Sequence, residues 1–269
     1  MTIEIRLLTT AHEFTACEKI QEDIWGSFGI VPDHLLITIQ KNGGLVLGAF
    51  DHATPDSPMV GFVFGFLGRT RDGRLKHTSH MAAVLPAYRD AGIGAQLKWA
   101  QRDYALAQGL DLMTWTFIPL LSRNAQLNMT RLGAVCRTYI RNCYGPEPDL
   151  ATAELPSDRF QVDWWLRDER VASRRTGSAL LPNTTILRAQ ALLVNPDPRE
   201  PVQSVAHGEA FLLQIPSDLD ALRAVDPARA CAWSYQVRTV AEPAFATGYQ
   251  ITAFARDGAV GLYLLEQAS

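Results

Sequence analysis

Residues 84–95 read VLPAYRDAGIGA: an apolar residue, a proline, a basic turn, and then Gly92 and Gly94 where a helical pattern begins. The order is strand, glycine loop, helix. Unpaired backbone N–H groups at such a helix N-terminus attract phosphate, the positive end of the helix dipole lies behind them, and absent side chains let an anion approach. The same two glycines could equally serve a tight turn and close packing alone. Just upstream, LKHTSHMAAVL places His77 and His80 on a candidate strand. By the period of two they face opposite sides. Histidine is the side chain that gains or loses a proton near neutral pH, so either could move one; a hydrogen-bonded structural role is the alternative. No Ser-His-Asp or Cys-His signature is recognisable. Cys17, Cys136, Cys143 and Cys231 lack C-x-x-C spacing, which suggests buried free thiols and neither a zinc site nor a disulfide framework.

These groups must be held by elements that the periodicity outlines. Residues 3–8 alternate as a strand, and Thr10 with Glu13 forms a capping box for a helix with Phe14, Cys17, Ile20 and Ile24 on its apolar face. Asp33 starts a second helix that ends at Gly43-Gly44, after which LVLGAFD, MVGFVFGFL and LKHTSHMAAVL read as three strands. Asp72-Gly73 and Asp257-Gly258 are read as tight hairpin turns with both central residues at positive φ. Downstream of the glycines, Ile93, Leu97, Ala100, Tyr104 and Ala107 recur at helical spacing, with Gly109 as the stop. The 25 Lys and Arg against 28 Asp and Glu in 269 residues leave a net charge of −3, which offers no general attraction to nucleic acid or to an anionic membrane. MTIEIRLLTT lacks the core of a signal peptide and no apolar run approaches the ~20 residues of a membrane span, so the reading is a cytoplasmic protein.

Val84, Pro86, Arg89, Gly92 and Gly94 fill the pattern V-x-P-x-x-R-x-x-G-x-G/A without a gap. VLPAYRDAGIGAQL thereby resembles the signature of the GNAT superfamily of N-acetyltransferases, whose loop holds the pyrophosphate of acetyl-CoA. The resemblance extends in element order from residue 3 to about residue 166. It implies an α+β fold with a mixed sheet whose fourth and fifth strands splay apart around the pantetheine arm, the fifth strand being residues 112–118. It implies acetyl-CoA or another acyl-CoA as co-substrate, no metal, and an amine of a small molecule or peptide as acceptor. Backbone groups of Ala82, Ala83 and Val84 would bond the arm, and Arg89, Asp90, Ala91, Gly92, Ile93, Gly94 and Ala95 would hold the phosphates. A fixed backbone donor facing the thioester oxygen would help the amine attack, and direct transfer needs no nucleophilic residue. His80, four residues before Val84 and counted on the same face, falls where arylalkylamine-acetylating members carry one of two strand histidines; Thr78 fills the other place. Trp25, Phe28 and the loop to Asp33 would line the acceptor site.

The sequence departs from that family after the fifth strand. In LSRNAQLNMTRLGAVCR, Met129 stands where a tyrosine usually acts as general acid, and Asn124, the expected CoA contact, lies two residues closer to the glycine than usual. Tyr139 and Tyr144 are the remaining phenols nearby. Residues 167–210 read as an irregular Arg- and Pro-rich connection whose arginines could grip the 3′-phosphate or simply be solvated. Residues 211–269 read as a strand-helix-hairpin module packed on the 1–166 domain, with Ser217 and Asp220 as a capping box and Trp233, Val237 and Val240 as an apolar stripe. Ile215-Pro216 answers Ile118-Pro119, so this module echoes the second half of the preceding domain. The expected activity is acyl transfer to an amine. The competing readings are an acyl-CoA-binding sensor or scaffold without turnover, and an acyltransferase with a longer acyl donor; a homodimer is compatible with each.

Overall fold

A computed structural model describes residues 1–27, 29–145 and 155–268. The chain divides into two compact units, Met1–Trp115 with Trp165–Arg167, and Thr116–Trp164 with Asp168–Ser269. No helix among the described residues is long and apolar enough to cross a membrane.

The first unit starts with strand β1 (Ile3–Leu7) and helix α1 (Ala11–Trp25). The capping box forms as the sequence predicts: Glu13 N donates to Thr10 Oγ1 (3.3 Å) and Thr10 N to Glu13 Oε2 (3.1 Å). Hydrogen bonding from Arg6, opposed by burial and aided by the backbone of Thr9 and Thr10, pulls the Glu13 carboxyl down to about 2. Helix α2 (Asp33–Lys41) follows, then β2 (Leu45–Asp51), β3 (Met59–Arg69), β4 (Leu75–Val84), helix α3 (Ile93–Ala107) and β5 (Leu112–Phe117). Strands β1 to β4 are antiparallel neighbours in chain order, and β4 meets β5 in parallel. On one face, Phe14, Cys17 and Ile20 of α1 and Leu36 of α2 pack against Phe62 and Phe64. On the other, Ile93 and Leu97 of α3 pack against Leu45, Leu47 and Val63. The β3–β4 connection is a five-residue loop closed by Thr70 N to Arg74 O (2.9 Å), in which Gly73 but not Asp72 takes positive φ.

The second unit contains α4 (Ser122–Ala125), which runs into a π-type turn closed by Leu132 N to Leu127 O (3.0 Å), then β6 (Val135–Ile140) and β7 (Arg159–Trp165). The stretch read as an irregular connection carries helices α5 (Glu169–Thr176) and α6 (Thr184–Gln190) and a short strand β8 (Leu192–Leu193). Its periodicity is weak because each helix buries one apolar anchor, Val171 or Leu187, and depends instead on a side-chain cap, Asp168 or Asn183. Strand β9 (Phe211–Pro216), helices α7 (Leu219–Val225) and α8 (Pro227–Ala246) and the hairpin β10 (Tyr249–Arg256) and β11 (Val260–Gln267) complete the unit. The cap of α7 is Asp218, one residue after the expected Ser217, whose hydroxyl donates to Gly258 O (2.8 Å). In the turn at Asp257-Gly258 neither residue takes positive φ, unlike Gly73 in the first turn; Asp257 N to Val260 O (3.1 Å) closes it.

Within this unit the strand order is β7-β6-β10-β11-β9-β8. The two hairpins meet through β6 and β10, each the strand that follows a helix, while β7 and β11 lie outside them. Phe160 touches Tyr139, Phe245 and Tyr263 ring to ring at 5.6–5.7 Å, and Tyr263 OH donates to Pro119 O (2.7 Å). A buried ion pair adds to this. Arg238 on α8 donates two bonds of 2.7 and 2.8 Å to Asp158, which also accepts from Tyr139 OH and Asn142 N.

Candidate functional site

The segment after β4 turns tightly into a helix start. Pro86–Tyr88 makes one tight 3-10 turn, Asp90 and Gly92 take positive φ (63° and 79°), and α3 begins at Ile93 with Gly92 as its N-cap. Gly92 has no side chain to cap the helix, so no backbone N–H from Asp90 to Ala95 is bonded among the described residues. The first helical bond is Gln96 N to Gly92 O (3.1 Å). These donors sit at the positive end of the α3 dipole, and apart from buried Ile93 the segment is open to solvent or half-open. Arg89 Nε reaches back to Val84 O (3.3 Å), which ties the loop to the strand end.

The strand that leads into the loop is half unpartnered. Its ladder with β5 holds at His77–Met113 and Thr78–Thr114, and β4 then runs on to Val84 without β5. Its other edge stays paired with β3 throughout. The edge of Ser79 to Val84, including Ala82 and Ala83, is therefore free within this unit, as the splayed-strand expectation requires.

His80 is not on the face assigned to it. Phe64 opposes Met81 while Gly65 opposes Ser79, so His80 is the extra residue of a β-bulge. The bulge breaks the period of two: Val84 packs with Ile93 and Leu97 on the α3 face, whereas the His80 ring lies edge-on to Phe64 (5.3 Å) and tilted against Phe66 (6.1 Å) on the face of α1 and α2. Its neighbours there are aromatic. Trp25 meets Phe62 edge-on at 6.2 Å, and Phe62 stacks on Phe64 at 6.3 Å. Trp25, 37% exposed, and Phe66, 36% exposed, mark the two open ends of this row. His80 itself is open to solvent, yet the partial burial of its ring pushes its pKa below the ordinary histidine value. The shift favours the neutral ring, the form that accepts a proton. The alternating phenylalanines of FVFGF announced an aromatic face, and Gly65 inside a strand was the local signal of a bulge.

His77 has a different fate. It is fully buried on the α3 face, its Nε2 is 3.1 Å from Gln101 Nε2, and burial together with the charge of Lys98 pushes it down to about 3. Lys98, itself buried, donates to Ser79 Oγ (2.9 Å) and Gln101 Oε1 (2.8 Å) and stands 3.6 Å over the Trp115 ring. This polar cluster pins the strand immediately before the bulge. Since it reaches no solvent, it supports β4 and cannot exchange protons with a substrate.

The second unit holds the other sequence-derived candidates. Asn124 lies half-buried on α4, and Met129 is fully buried in the π-type turn, so its place offers no acid. Tyr139 is committed to Asp158 and its pKa is raised, chiefly by burial. Tyr144 is 55% exposed, with its hydroxyl 3.4 Å from Thr116 Oγ1. Phe28 lies outside the described residues. Among the described residues no three His, Cys, Asp or Glu side chains converge as metal ligands would.

No family model matches the sequence, and no curated protein matches it. Solved structures do. The NatC complex bound to Gag peptide and CoA aligns with 61% of this chain and 98% of its own, at a TM-score of 0.50 and 18% identity. Arabidopsis thaliana NAA60 in complex with acetyl-CoA aligns with 61% of this chain and 99% of its own, at a TM-score of 0.50 and 17% identity. Over about three fifths of its length this protein thus shares the fold of the NatC and NAA60 chains.

Proposed function

We propose that the protein is an N-acetyltransferase that carries an acetyl group from acetyl-CoA directly to the amine of a small molecule or peptide. The observation that supports this most is the run of unbonded backbone N–H groups from Asp90 to Ala95 at the start of α3, beside a strand edge left open from Ser79 to Val84. The loop would take the pyrophosphate and the strand edge would bond the pantetheine arm, leaving the bound thioester as the electrophile. An alkylamine is mostly ammonium at neutral pH and must lose a proton before it attacks. His80, neutral and solvent-accessible at the bulge, accepts that proton directly or through a water. Trp25, Phe62, Phe64 and Phe66 offer the acceptor an apolar, aromatic wall. The transferase part is residues 1–166, and residues 211–269 are needed for folding or for shaping the acceptor cleft.

A second reading, binding of acyl-CoA without turnover, is favoured by the buried Met129 in the place of an acid for the leaving thiolate. Release of free thiol on mixing the protein with acetyl-CoA and a panel of aromatic, aliphatic and peptide amines separates the two. Amine-dependent release is expected. Tight CoA binding with no release for any amine would establish the second reading, and absence of CoA binding would overturn both.

A further inference from the structure

The second unit contains a cleft whose lining includes no residue of the Asp90–Ala95 loop or of the β4 edge. It lies between α5, α6 and the β10–β11 hairpin and encloses about 290 Å³. One side is apolar, formed by Leu181, Pro182, Ile186 and Leu264. The other presents Arg170 and Arg174, one turn apart on α5 and so on one face of it.

The two guanidiniums are short of partners. Arg170 Nε donates to Gly133 O (3.0 Å) and Arg174 Nη1 to Leu180 O (3.0 Å), while Arg174 Nε is buried with no partner. Neither forms an ion pair among the described residues. Glu266, the acid of the cleft, accepts the hydroxyl of Thr252 and stands beyond ion-pair distance of both arginines. Burial lowers the pKa of both guanidiniums. Arg170 feels the charges of Glu266 and Asp168 at a distance, but neither guanidinium has a carboxylate bonded to it, and a half-buried cation without a bonded acceptor costs free energy.

The fold builds this arrangement deliberately. Gly133 has φ +70°, and a Cβ there would stand 3.0 Å from Arg174 Cγ and 3.1 Å from Arg170 O, so a side chain at this position would push α5 away. Asp168 caps α5 through Arg170 N (2.8 Å), and Asn183 caps α6 through Ile186 N (2.9 Å), which fixes the charged and the apolar walls.

We propose that this cleft binds a small amphipathic monocarboxylate, its carboxylate held by Arg170 and Arg174 and its aliphatic or aromatic body against Leu181, Pro182 and Ile186. A carboxylate supplies the bonded acceptor that both guanidiniums lack, and the planar guanidinium fork matches its geometry. Inorganic phosphate satisfies the arginines but leaves the apolar wall wet, and an amine satisfies neither.

Calorimetric titration of the full-length protein with 4-methylpentanoate, phenylacetate, inorganic phosphate and 4-methylpentylamine tests this. Both acids bind, the amine does not, and phosphate binds at least about tenfold more weakly than the acids. Arg174→Leu and Ile186→Asp each weaken the acids by about tenfold or more. Should Arg174→Leu not fold, Arg174→Lys keeps the charge without the fork and shows the same loss. Gly92→Ala leaves acid binding unchanged, which separates this cleft from the CoA loop. The proposal is overturned if neither acid binds, if phosphate binds as well as the acids, or if the folded variants bind the acids like the unaltered protein.

Discussion

Replacing Gly92 by alanine separates the stability of the anion loop from its affinity. Gly92 sits at φ +79° and ψ 3°, and an L residue in this left-handed region costs roughly 1–2 kcal/mol. A Cβ built there meets no atom of the protein within 4 Å, so no clash adds to the strain. The unfolding free energy should fall by about 1 kcal/mol, and the melting temperature by about 2–4 °C for a chain of this length. Binding should suffer more. The added methyl takes up open space at the start of α3 that an approaching anion would otherwise use, and losing one charge-assisted hydrogen bond to a phosphate costs about 1.5–3 kcal/mol. That corresponds to about a tenfold to hundredfold rise in the Kd for CoA. Calorimetric titration with CoA and thermal melts of the same samples read both quantities, and Gly92→Val should enlarge each. A variant that melts cooperatively within a few degrees of the unaltered protein and binds CoA with the same Kd would refute the assignment of the loop.

His80→Gln keeps a polar side chain at the bulge but removes the base, so turnover should fall by ~10²–10⁴ while CoA affinity holds. Since the pKa of His80 is lowered, the base is active above the ordinary histidine range and is lost only as pH falls through its own lower value; a rate profile that keeps the same acidic limb in the variant would show that His80 is structural. Asp158→Asn strands Arg238 in a buried pair and should cost about 3 kcal/mol in chemical denaturation. Burial raises the Asp158 carboxyl, but Arg238, Tyr139 and Asn142 outweigh it and hold it below its ordinary value. Its contribution is therefore complete above the ordinary aspartate pKa and fades as pH falls through the folded one, a fading that the asparagine variant should lack. Ending the chain at residue 166 removes β10 and β11 and bares Phe160 and Cys136, so the product should aggregate or bind a hydrophobic dye; a monomer that melts like the full chain would show that residues 211–269 are dispensable.

What lay open in the sequence is what neighbours along the chain decide. Thr10 and Glu13 cap α1 because the donor and acceptor are three residues apart. The loop from Arg89 to Ala95 was legible for the same reason: a glycine without a side chain at a helix start leaves its N–H groups free wherever the helix is packed. The face of His80 was not legible. It depends on the register between β3 and β4, where one unpaired residue between Ser79 and Met81 turns the histidine from the α3 side to the aromatic row. Counting by twos cannot reveal a bulge, since its cause is how the partner strand fits. The weak helices of residues 167–210 and the cleft at Arg170 and Arg174 escaped for a related reason: one buried anchor per helix leaves little periodicity, and the arginines acquire a purpose only when Gly133 lets α5 pack against the turn before β6. Local chemistry thus specified the unbonded helix start, while tertiary packing decided which face carries His80 and where the arginines of α5 are directed.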